Sequence, residues 1–70
     1  MMQVFYTLPE AKRYAKRQAK ETGKSFHIFK TLGGTLAGRL GYEYSAMSFD
    51  DPLMPECFAR LETVTTIKGA

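Results

Sequence analysis

Seventy residues, 44% of them hydrophobic and 24% charged, suffice for one domain around one small core, and this balance excludes a disordered tail. A net charge of +3 and an isoelectric point near 9.2 lean mildly towards anionic partners and exclude a DNA mimic, which must be strongly acidic to copy a phosphate backbone. The single cysteine, Cys57, precludes an intrachain disulfide and points to a reducing, cytoplasmic setting, while the chain shows neither a signal-peptide pattern nor an apolar run of membrane-spanning length.

In chain order, Met2 to Tyr6 reads as a first strand, with Val4 and Tyr6 alternating against Gln3 and Phe5. Thr7 to Lys24 then reads as one amphipathic helix. Thr7 is an N-cap, Pro9 falls in the first turn where its missing N–H costs nothing, Glu10 completes a capping box, and Gly23 supplies the stop. Leu8, Ala11, Ala15, Ala19 and Thr22 recur at three- and four-residue steps, with Tyr14 and Gln18 along one edge, and form a stripe suited to lie on a sheet. The opposite face is basic. Lys12, Arg13, Lys16, Arg17, Lys20 and Lys24 against Glu10 and Glu21 give this segment a charge of +4, whereas the rest of the chain carries −1.

Ser25 to Thr31 reads as a second strand, with Phe26 and Ile28 on one face and His27 and Phe29 on the other, where His27 is expected to be a half-exposed surface residue or an interface contact. Thr31 to Arg39 is a glycine-rich turn region, and Leu40 to Phe49 resumes a two-residue period as a third strand with Leu40, Tyr42, Tyr44 and Ala46 on one face. Asp50-Asp51-Pro52 marks a turn. A final strand is expected from about Phe58 to Thr66, with a helical turn over Pro55 to Leu61 as the alternative because Met54, Cys57, Phe58 and Leu61 fit helical spacing; Gly69-Ala70 reads as a frayed end. The expected architecture over residues 1–70 is a single α+β domain, one amphipathic helix on an antiparallel sheet of three to four strands, in the order β-α-β-β-β.

Chemistry-bearing motifs are sparse. Gly33 to Gly38 has the GxxxxG spacing of a phosphate-binding loop, but Arg39-Leu40 stand where that motif needs Lys and then Ser or Thr, and they are expected to open a strand, not a helix. His27 has no titrating neighbour in sequence, and Cys57 and His27 show neither zinc-site spacing nor a nucleophile signature, so no cofactor, metal or catalytic residue is assigned and a non-enzymatic role is expected. The basic helix face is the main functional clue: Lys12, Lys16 and Lys20 form one row, with Arg13, Arg17, Lys20 and Lys24 beside it. Its plain reading is a solvated, solubilising face. Its functional reading is an electrostatic footprint for an acidic protein surface or for nucleic-acid phosphates. Arg39 beside Tyr42 and Tyr44 adds a second element, aromatic stacking of unpaired bases on the sheet, although the ordered pattern of RRM sheets is absent.

The segment Thr7-Leu8-Pro9-Glu10-Ala11-Lys12-Arg13, leading into a helix and then a glycine-containing hairpin, resembles small phage-encoded modules of the anti-CRISPR kind, with one helix on an antiparallel sheet. The resemblance covers about half the chain and does not extend to residues 50–70. It implies a non-enzymatic inhibitor that binds a nucleic-acid-handling complex and blocks its substrate. The expected function is therefore an inhibitor or adaptor docking its basic face on such a complex, the alternative being a nucleic-acid-binding module that uses the same residues. The candidate contacts are Lys12, Arg13, Lys16, Arg17, Lys20, Lys24, Arg39 and Tyr42. Small size and open sheet edges also admit a homodimer, since a core of this size typically supplies only about 3–5 kcal/mol.

Overall fold

The computed structural model describes residues 3–69, so Met2 of the expected first strand and Ala70 of the expected frayed end lie outside the described residues. The elements are β1 (Gln3–Phe5), α1 (Leu8–Thr22), β2 (Phe26–Lys30), α2 (Leu36–Arg39), β3 (Tyr44–Ser48), α3 (Met54–Arg60) and β4 (Thr63–Ile67). The four strands form one sheet in the order β1-β3-β2-β4, with every neighbouring pair antiparallel. The α+β class and the antiparallel sheet are as the sequence leads one to expect; the number of helices is not.

The topology has a simple logic. β1 and β2 run parallel with β3 between them, and β3 and β4 run parallel with β2 between them. Each is thus a strand-helix-strand crossover with one strand inserted. Both step the same way across the sheet from strands of opposite direction, so crossovers of a common hand must place their helices on opposite faces. α1 covers one face, where Ala11, Ala15 and Ala19 pack against Phe26, Ile28 and Ala46. α3 covers the other, where Met54 and Cys57 meet Phe29 and Met47. Alternation along β2 and β3 sends consecutive side chains to different cores.

α1 is built as its sequence indicates. Thr7 Oγ1 accepts from the Glu10 N–H, Glu10 accepts from the Thr7 N–H in return, and Gly23 ends the helix in the left-handed region at φ 74°. Its alanines let the helix lie close on the sheet. Thr22, expected on the packing stripe, is exposed, and its hydroxyl instead donates to the Gln18 carbonyl. Lys24 lies beyond the helix end.

Four expectations are corrected. The glycine-rich segment contains the short helix α2, capped by Thr35, whose hydroxyl accepts from the Gly38 N–H and donates to the Leu32 carbonyl. Gly41, at φ 90°, then turns the chain into β3. The third strand accordingly starts at Tyr44, not Leu40, and neither Leu40 nor Tyr42 belongs to it. Residues 54–60 form α3, the reading kept as the alternative, because Pro55 suits a first helical turn and Met54 and Cys57 gain burial at that spacing. Gly69 is not frayed: its N–H donates to Ser25 Oγ, and a Cβ there would collide with the Gly23 carbonyl oxygen.

Candidate functional site

The solvent face of α1 carries Lys12, Arg13, Lys16, Arg17 and Lys20, all exposed. Three alanines facing the sheet set the helix rotation, so the intervening cations can only point outward. Residues four apart on a helix lie about 6 Å apart along its axis, which gives Lys12, Lys16 and Lys20 their regular spacing. Among the described residues no carboxylate forms an ion pair with any of the five. The face is therefore a net positive field, offset by Glu10 and Glu21 near the two helix ends and screened by salt.

Lys24 does not belong to this face. Its ammonium group lies 2.7 Å from Asp50 on the β3–α3 turn, and Ser48 Oγ donates to the same carboxylate. The Lys24 hydrogen bond, followed by the one from Ser48, holds the Asp50 carboxyl below its ordinary pKa. Both partners are solvent-exposed, so this contact orients the turn more than it stabilises the fold. Arg39 ends α2 and is exposed, with no ion pair among the described residues.

The tyrosines are arranged differently from the expected sheet-borne pair. Tyr44 is half-buried and packs against the α1 core. Tyr42 stacks on Tyr6 with ring centroids 4.3 Å apart, and this contact pushes the Tyr6 hydroxyl above its usual pKa through a hydrogen bond between the two. One face of the Tyr42 ring is thus already covered. The GxxxxG segment overlaps a helix, since α2 begins at Leu36 inside it and ends at Arg39, so neither the expected strand nor the helix a phosphate-binding loop requires follows Gly38. α2 has four residues and its Thr35 side chain closes its N-terminus, so it presents no anion site.

The opposite face of the sheet holds a cluster that residue spacing does not reveal. His27, expected half-exposed, is only 5% exposed because Phe49 and Phe58 fold over it, with centroid distances of 4.3 and 4.6 Å, and Phe29 stands alongside at 5.8 Å. Its Nδ1 is 2.7 Å from Thr66 Oγ1, while its Nε2 is buried without a hydrogen-bond partner. Burial pushes the imidazole pKa down. The covering rings remain open to solvent, Phe49 at 50% and Phe58 at 45%. Cys57 sits on the same side of the sheet, and burial is the main cause of its raised thiol pKa.

Among the described residues no three His, Cys, Asp or Glu side chains are placed to hold a metal ion, and no helix is long and apolar enough to cross a membrane. Comparison with known proteins finds no matching family model, no matching curated protein and no matching solved structure.

Proposed function

We propose that this protein is a non-enzymatic binding module that docks the basic face of α1 on an acidic protein surface. The observation that carries this reading is the set of five exposed cations, Lys12, Arg13, Lys16, Arg17 and Lys20, none of them ion-paired among the described residues. Long basic side chains on a preformed helix can reach a partner's carboxylates without reordering the backbone, which favours fast, steered association. The partner is taken to be a component of a nucleic-acid-handling complex, and the role that of an inhibitor or adaptor. That choice rests on the resemblance of Thr7 to Arg13 to anti-CRISPR modules. The cytoplasm, where the free thiol of Cys57 is stable, suits such a role.

A nucleic-acid module using the same cations on phosphates is the second reading. It is disfavoured by the Tyr6–Tyr42 stack and the packing of Tyr44 against α1, which remove the open aromatic platform that unpaired bases would need. The two readings separate by salt. Anisotropy of labelled single- and double-stranded DNA and RNA across a salt series should show no tight binding. Steep log-log dependence, about 0.9 per phosphate neutralised on duplex DNA, would instead establish the second reading. Reversing Lys12, Arg13, Lys16 and Arg17 to Glu should leave the fold intact and abolish retention of the protein partner in pull-downs. A folded reversal variant that retains the same partner would reduce the basic face to a solubility surface.

A further inference from the structure

The two edges of the sheet are unequal. β1 offers three residues, whereas β4 offers five, Thr63-Val64-Thr65-Thr66-Ile67, with β2 on one side and no strand on the other. An outer edge of this kind presents unpaired backbone N–H and C=O groups, which natural sheets commonly guard with proline or with charges within the strand. β4 has neither. Its only guard is an irregularity in pairing opposite Ile28 and Phe29, where Val64 is the extra residue and leaves Thr65 onward as the regular part of the edge.

Charge marks the two ends of this edge. Glu62 precedes β4 and Lys68 follows it; both are exposed, and neither makes an ion pair within the described residues. The Glu62 carbonyl is fixed by the Lys30 N–H at 2.8 Å, so the acidic end is anchored to the sheet. Two copies of one strand pairing antiparallel are related by a two-fold axis perpendicular to the sheet. With that axis near Thr65, Glu62 of each copy lies across from Lys68 of the other. Opposite charges at facing or diagonal cross-strand positions are attractive. The edge is thus complementary to itself in backbone pairing and in charge, the requirement for an isologous dimer contact.

We propose that a second copy of this chain occupies the free edge of β4, giving a two-fold dimer with a continuous eight-stranded antiparallel sheet. The contact is short, so association is expected to be weak, with a Kd on the order of 0.1 mM. The axis keeps both copies of α1 on the same side of the joined sheet, so the dimer carries its two basic faces in one direction. The assembly does not depend on what those faces bind.

Sedimentation equilibrium between about 10 µM and 1 mM tests this, with circular dichroism confirming that each variant is folded. The intact chain should show a monomer–dimer equilibrium. Glu62→Lys alone or Lys68→Glu alone puts like charges across both ends and should weaken dimerisation about tenfold. An equimolar mixture of these two variants restores both attractive pairs, as does the double variant Glu62→Lys/Lys68→Glu in one chain, and each should dimerise as the intact chain does. A chain that stays monomeric up to 1 mM overturns the proposal. So does a dimer indifferent to both single reversals, because its contact would then lie elsewhere.

Discussion

The two faces of the sheet are covered in contrasting ways. On one side a 15-residue helix with a complete capping box sets three almost fully buried alanines against Phe26, Ile28 and Ala46. On the other, a seven-residue helix without a side-chain cap brings Met54 and Cys57 to Phe29 and Met47. This second layer leaves Leu53 52% exposed, Phe49 and Phe58 half-open, and the His27 Nε2 unpaired. The difference teaches that a short helix can close a core when large, adaptable side chains reach beyond it. A small-residue helix must instead supply its own length and caps.

The strongest way to break the α3 side is Phe29→Ala. Phe29 is fully buried and meets Phe58 edge-on, so its loss should cost about 4 kcal/mol in urea unfolding. A cost below about 1 kcal/mol would mean that α3 and Phe58 collapse into the space. Next in size, Ala15→Leu on the α1 side should cost about 2 kcal/mol through overpacking, while Met54→Leu on the α3 side should cost under about 1.5 kcal/mol because a flexible thioether already fills that site. Equal costs would erase the contrast between a rigid and an adaptable layer. Smaller again, Thr7→Ala removes the hydroxyl of the capping box and should cost about 1 kcal/mol, read as a lower urea midpoint with unchanged slope.

The last test sharpens the comparison through pH. His27 has a folded pKa below its unfolded value of 6.5, because burial disfavours the cation. The folded state therefore has its full stability from this group above pH 6.5. As pH falls below that value the unfolded chain takes up a proton that the folded chain resists, and stability declines until the folded pKa is passed. Urea melts at pH 7.5 and 5.5 should show this loss in the intact chain and not in His27→Gln. Amide exchange should rise first in α3, which packs on the face that His27 shares, and later in α1.

How much of this is legible in sequence follows from how local each signal is. The capping box, Pro9, Gly23 and the alanine repeat all lie within one helix, so α1 and its outward cations can be read directly. The alternation of Phe26 and Ile28 with His27 and Phe29 likewise assigns β2 to two cores. α3 is harder because Pro55 and the Met54-Cys57 spacing run into the β-prone Thr63 to Ile67, and the strand signal overruns the helix. α2 hides among glycines that favour turns. At the candidate site, the removal of Lys24 from the basic face depends on Asp50, and the cover over His27 depends on Phe49, Phe58 and Thr66. Each comes from more than twenty residues away, set by sheet register and not by spacing. Exposure of His27 was the natural expectation for a polar residue on a strand; three phenylalanines reverse it.

The strand order has a consequence for how the chain finds its fold. β2 and β3 form the centre of the sheet and are its only sequence-adjacent pair, joined through residues 31–43. β1 must wait for β3 to be in place, and β4 must find β2 across the whole of β3 and α3. Loop closure thus favours the central hairpin with α1 docked on Ile28 as the folding nucleus, with the two edges joining afterwards. Damage at the centre would slow folding, whereas damage at either edge would chiefly quicken unfolding.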